Sequence, residues 1–179
     1  MFGQSGAVTS SVSVAEVLLD GFARVREGVT EVLADVEGRI LTWRSDPSAN
    51  TVAWIIWHLT RIQDDHLAAA FEQPQVWLAD GWVDRFALPY PREAHGYGMS
   101  PEAVGRLTSS RELLVGYSDA VAGRTESLIA DVTPEDLARI VDDRWDPPVT
   151  LAVRLVSVLS DDLQHVGQAA HVRGLAERA

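Results

Sequence analysis

The chain contains no cysteine among its 179 residues. That absence excludes a disulfide framework, a thiolate metal site and a thiol nucleophile carried by the protein itself. Any metal must be held by His, Asp, Glu and water, and any thiol chemistry needs a thiol from outside. Basic charge is also scarce: 15 Lys and Arg stand against 26 Asp and Glu, a formal net charge of −11. Nucleic-acid binding rests on Lys and Arg neutralising phosphates, so no nucleic-acid partner is expected. The acidity itself is read as solubility. Long apolar runs are missing too. The longest fall far short of the ~18–20 residues a membrane span needs, so no membrane partner is expected either. Met1 to Ser11 has neither a basic n-region nor an apolar h-region, which speaks against a secretory signal. The expectation is a flexible lead, 1–11, on a soluble cytoplasmic protein.

What is present is globular: 46% of the residues are apolar and 23% charged, and the length suits one domain, 1–179, with a sizeable core. Four segments carry apolar residues at steps of three and four, the helical pattern. The first runs from about Val14 to Val36 behind a Ser13-x-x-Glu16 capping box. The second covers about Thr51 to Phe71. The third covers about Pro101 to Ile129, with Ser100 as N-cap. The fourth covers about Thr150 to Leu175, and a short extra helix is expected from Thr133-Pro134 to about Ile140. Sustained period-two alternation is absent, so strands are not demanded. The fold class is therefore all-α, a four-helix bundle. Between the second and third helices, Gln73 to Met99 is too long for a bundle turn and too aromatic for disorder. It reads as a crossover packed over one end of the bundle, a lid for a pocket.

The chemistry concentrates in Asp161-Asp162-Leu163-Gln164-His165-Val166-Gly167-Gln168. Asp161 and His165 lie about one helical turn apart and project from one face. Steps of seven and eleven residues add Arg154 and Gln168 to that stripe. On the second helix Trp54, His58, Arg61 and Asp65 form a similar one. Charge among apolar neighbours is costly unless it is paired or binds a metal. Two ligands from one helix and one from another is how bundles build metal sites, so His58, Asp161 and His165 are the metal candidates. Plainer readings stand beside this. An Asp-x-x-x-His pair is commonly a local contact of roughly 0.3 kcal/mol. Arg154 either holds a substrate carboxylate or pairs with Asp161. Asp65 either orients His58 or sits as a surface acid. Gln168 either lines a pocket or bonds across helices, and Trp54 packs. Asp162 is a rival carboxylate further round the helix, and His66, His95 and His171 find no comparable partners.

Three stretches carry a family resemblance: Asn50 through Arg61 with its Trp54-Ile55-Ile56-Trp57-His58, Gly96-Tyr97-Gly98-Met99-Ser100-Pro101-Glu102, and Asp161 through Gly174 with a histidine before x-Gly-Gln and Arg173-Gly174 behind. On these the chain resembles the DinB-like metalloenzyme superfamily from about Val36 to Gly174. It looks closest to actinobacterial members grouped with mycothiol-dependent maleylpyruvate isomerase and related thiol transferases. The resemblance implies a divalent metal, zinc or nickel, on His58, Asp161 and His165. Aspartate then stands where the isomerase branch has the longer glutamate. It further implies an external low-molecular-weight thiol such as mycothiol, with Trp54, Arg61 and Gln168 beside that cofactor, and Arg154 and Asp65 orienting a small electrophile. The expected function is a metal-dependent thiol S-transferase. The alternatives are a metal-dependent hydrolase using bound water, or a non-catalytic metal- or ligand-binding stress-response protein of the same fold. Val and Leu on the first and third helices suggest a homodimer.

Overall fold

The computed structural model describes residues 12–179; the expected flexible lead, 1–11, lies outside the described residues. Helix α1 (Val14–Leu33) opens on the capping box: Glu16 N–H donates to Ser13 Oγ while the Glu16 carboxylate accepts the Ser13 N–H. Its buried stripe, Phe22, Val25, Val29 and Val32, steps by three and four. The single turn α2 (Gly38–Leu41) buries Ile40 and Leu41. Helix α3 (Val52–Ala70) starts where Thr51 Oγ1 caps the Trp54 N–H. It is buried on nearly every face, as befits a helix at the centre of a bundle.

The crossover folds into two short helices, α4 (Val76–Ala79) and α5 (Trp82–Phe86). Its aromatics form a cluster with the bundle, Trp77 packing on Phe86 and on Tyr117. Helices α6 (Pro101–Gly105) and α7 (Arg111–Ile129) follow, then a 3-10 turn at Asp136–Ala138, strands β1 (Ile140–Asp142) and β2 (Val149–Thr150), and helix α8 (Leu151–Ala176). The long helices α1, α3, α7 and α8 make the bundle, with α1 and α3 each packed on both α7 and α8. Gly21 and Gly28 let α1 approach α8 closely: a Cβ at either would meet Leu159 at 2.7 Å or Val166 at 2.5 Å. Those two contacts flank Asp161 and His165 and fix the register of the face that carries them. The all-α bundle is as expected.

Three local expectations need correction. The third helix is not continuous from 101 to 129. It stops at Gly105 and restarts with Ser110 Oγ capping the Leu113 N–H. Thr108, Ser109 and Ser110 offer the backbone competing side-chain bonds, which favour a turn over a helix interior. The first helix ends at Leu33 rather than Val36, because Asp35 takes φ +50° and Arg173 caps the carbonyls of Glu31, Val32 and Ala34. The short helix after Thr133 shrinks to the 3-10 turn, and an antiparallel ladder pairing Ile140 with Thr150 follows. Strands this short leave no alternation to read.

The Val and Leu residues that suggest a homodimer are largely taken up inside the bundle. Val25, Val29, Leu114 and Val121 on the first and third long helices are buried in the core. On the long helices the large exposed apolar side chains among the described residues are Val17 on α1 and Val153, Val156 and Leu163 on α8. Among the described residues no helix is long and apolar enough to cross a membrane.

Candidate metal centre

Helices α3 and α8 bring His58 and His165 together, ring centroids 4.9 Å apart at an interplanar angle of 68°. With Asp161 they form a cluster in which one ligand atom from each residue lies within 4.8 Å of the others. The two imidazoles are oriented alike. Nδ1 of His58 lies 2.6 Å from the carbonyl oxygen of His95. Nδ1 of His165 lies 2.9 Å from the carbonyl oxygen of Asp161, one turn back in its own helix. A carbonyl only accepts, so each Nδ1 carries the proton and donates. A neutral ring held in this way has its lone pair on Nε2, the form a metal-ligating histidine takes when a backbone carbonyl orients it.

His58 is 6% exposed, and burial holds its pKa below the ordinary histidine value, against the opposing pull of its bond to the His95 carbonyl. That direction favours the neutral ring, the form a ligand takes. Trp54 stacks on it at 4.6 Å with an interplanar angle of 16°. Asp161 is split between two environments. Its side chain is 41% exposed, yet Oδ2 is buried without a hydrogen-bond partner. The closest nitrogen to that oxygen in the pair is Nδ1 of His165 at 3.4 Å, whose proton is already committed to the Asp161 carbonyl. Two bare Nε2 atoms and one orphaned carboxylate oxygen form a donor set that fits a divalent metal.

The other site residues expected from the sequence fall elsewhere. Arg154 does not pair with Asp161; its guanidinium donates to Asp142 Oδ2 at 3.0 Å, because the hairpin brings that carboxylate over the start of α8. Asp65 does not orient His58, a role taken by the His95 backbone. Its carboxylate lies 3.0 Å from Nδ1 of His66 and accepts from Gln75 Nε2, and the bond with His66 draws its pKa down. Arg61 is wholly buried, with Nε on the Ala94 carbonyl at 3.1 Å, Nη2 on Gln75 Oε1 at 3.0 Å and Nη1 on the Tyr117 hydroxyl at 3.4 Å. It has no face left for a small-molecule cofactor. Gln168 is exposed on α8. Asp162 is fully buried and neither of its oxygens has a protein partner; burial, then the charge of Asp161, pushes its carboxyl pKa well up.

Sequence reasoning missed the segment Ala94-His95-Gly96. Its contribution is a carbonyl, which every residue carries, so only Gly96 left a trace. That glycine has φ +100° and sits so close that a Cβ would fall 2.5 Å from Nδ1 of His58.

Fold and cluster together define a helical bundle with a His/Asp centre of metal-binding type between two of its long helices. The chain belongs to the DinB superfamily, whose family model matches residues 21–169. Among solved structures it is similar to one described as the crystal structure of the conserved protein of locus from Enterococcus faecalis. The two are 29% identical, with a TM-score of 0.87 over 94% of this chain and 100% of that one. No curated protein matches the chain significantly.

Proposed function

We propose that this DinB-superfamily protein binds one divalent ion, zinc or nickel, at His58, Asp161 and His165, and transfers an external low-molecular-weight thiol, mycothiol or a chemical equivalent, to small electrophiles. The observation that carries this reading is the cluster of His58, Asp161 and His165, one ligand atom of each within 4.8 Å of the others, with both Nδ1 atoms engaged by backbone carbonyls and Asp161 Oδ2 left without a partner. A divalent ion held there supplies Lewis acidity, which lowers the pKa of a coordinated thiol or water. His58 and His165 keep their Nδ1 protons on backbone carbonyls, so neither ring is free to shuttle protons. Asp161, at 41% exposure, is the member of the centre that borders solvent. Trp54 gives His58 an apolar wall, and exposed Gln168, one turn beyond His165, is available to hydrogen-bond a bound molecule. The lack of cysteine is compatible with an external thiol, since no protein thiol competes for the metal or the electrophile.

The test is turnover by zinc- or nickel-loaded protein with mycothiol or glutathione and a small epoxide or aryl halide, followed as adduct by mass spectrometry. Adduct that requires both metal and thiol, and disappears in Asp161→Ala, is the expected result. Water-derived product formed without thiol would make the protein a metal hydrolase instead. A metal-loaded protein that turns over neither way would be a binding protein.

A further inference from the structure

We propose that Arg61 is a positioning residue: through the backbone of Ala94 and His95 it fixes which nitrogen of His58 carries the proton, and so where Nε2 points. Its consequence for metal binding rests on the function proposed above, but the arrangement itself belongs to the metal-free protein.

The guanidinium is buried together with Asp64, Nη1 standing 3.6 Å from Oδ2. A buried ion pair is an expensive way to hold chain together, because apolar residues of similar volume often pack as well or better. What the pair adds here is geometry. Asp64 accepts the N–H groups of Val76 and Trp77 at 2.8 and 2.7 Å and the Tyr117 hydroxyl at 2.8 Å. That ties the start of α4, and with it the crossover, to α3 and α7. Arg61 lies under the Trp77 ring, 5.1 Å from its centroid, and the Trp77 indole donates to the Arg92 carbonyl at 2.7 Å. Nε of Arg61 then takes the Ala94 carbonyl.

The next carbonyl along the chain is that of His95, the acceptor for Nδ1 of His58. Adjacent planar peptides share one Cα and cannot be re-aimed independently without rotating its dihedrals. Anchored at Arg92 and Ala94, and closed by Gly96 against the imidazole, the segment presents the His95 oxygen in one place. Released from that oxygen, a neutral imidazole can carry its proton on either nitrogen. A proton on Nε2 removes the lone pair a metal needs. His165 supplies an internal control, because its Nδ1 bond is made within α8 and owes nothing to this segment.

The experiment reads the ring nitrogens of His58 and His165 by long-range proton–nitrogen correlation in the metal-free, full-length protein. Arg61→Lys keeps a cation opposite Asp64, but its single ammonium cannot reach the three acceptors that Arg61 spans. In case that variant fails to fold, the neutral double variant Arg61→Met with Asp64→Asn removes both charges and retains an acceptor at position 64. Tyr117→Phe strips a hydroxyl from the network and leaves the bond from Nε to Ala94 in place. The expected result is Nδ1-protonated His58 in wild type and in Tyr117→Phe. A mixture of tautomers at His58, with His165 unchanged, is expected in Arg61→Lys or the double variant. Zinc affinity should fall about tenfold or more in the same variants, as for other residues that orient a ligand. A folded Arg61 variant whose His58 stays wholly Nδ1-protonated overturns the proposal. So does an equal change at His165 or in Tyr117→Phe, which would indicate general loosening. If the expected tautomers appear but wild type takes up no zinc, the positioning role stands and the metal reading falls.

Discussion

Replacing Gly96 by alanine presses directly on the centre. At φ +100° an L residue pays backbone strain of roughly 1–3 kcal/mol. The new methyl also lands 2.5 Å from Nδ1 and 3.2 Å from Cγ of His58, and 3.1 Å from Cζ2 of Trp54, where ordinary contacts lie near ~3.5–4.0 Å. His58 cannot simply retreat, since it is stacked on Trp54 on one side and faces His165 on another. Either the ring turns or the segment lifts, and both break the bond to the His95 carbonyl. Overpacking of this kind adds roughly 1–3 kcal/mol. Gly98→Ala is the matched control: φ is +72° with nothing within 4 Å of the added Cβ, so it carries strain alone. Urea denaturation of the metal-free proteins, followed by tryptophan fluorescence, should place Gly96→Ala below Gly98→Ala by roughly 1–3 kcal/mol. Zinc affinity should drop in the first and hold in the second. Equal stability and equal zinc binding in the two variants would refute the reasoning.

Other perturbations have equally definite outcomes. Asp142, held by Arg144 and then Arg154, has a carboxyl pKa well below the usual range. Its stabilisation is present above the unfolded carboxylate value of about 3.9 and is lost as pH falls through the lower folded value. Asp142→Asn should therefore melt lower than wild type at neutral pH and lose less stability between neutral pH and acid; parallel melting profiles across pH would contradict this. Burial pushes the Asp162 carboxyl pKa well up, so this side chain costs stability as pH rises above the unfolded carboxylate value of about 3.9. Asp162→Asn removes that cost and should gain melting temperature on wild type between acid and neutral pH; a variant that loses ground over that range would show that the carboxylate is held by something that needs its charge. Ser110→Ala deletes the cap that restarts α7 and should lower the urea midpoint by the equivalent of about 1 kcal/mol; an unchanged midpoint would mean the turn before α7 caps itself.

Much of this was legible in the sequence, for physical reasons. Asp161 and His165 fall on one face because of helical periodicity alone, and the same periodicity sets His58 on a second helix of the bundle. What escaped came from segments whose chemistry is carried by backbone or by unmarked partners. Arg61 and Asp65 share a stripe with His58, but periodicity cannot say that the crossover supplies Ala94 and Gln75 to claim them. Arg154 needed a carboxylate, and the one it found sits on a strand of three residues, too short to show alternation. The break before α7 hid in a Thr-Ser-Ser run that helix spacing passes over. The orientation of His58 depends on a carbonyl, and no side chain announces it.

The most direct measurement is the metal content of purified protein by plasma mass spectrometry, on wild type and on His58→Ala, Asp161→Ala and His165→Ala, after loading with zinc or nickel and removal of excess ion. About one equivalent per chain in wild type, lost in each variant while the fold survives by circular dichroism, is the expected result for a three-ligand centre. Wild type that stays empty, or variants that retain the ion, would contradict a metal site at these residues.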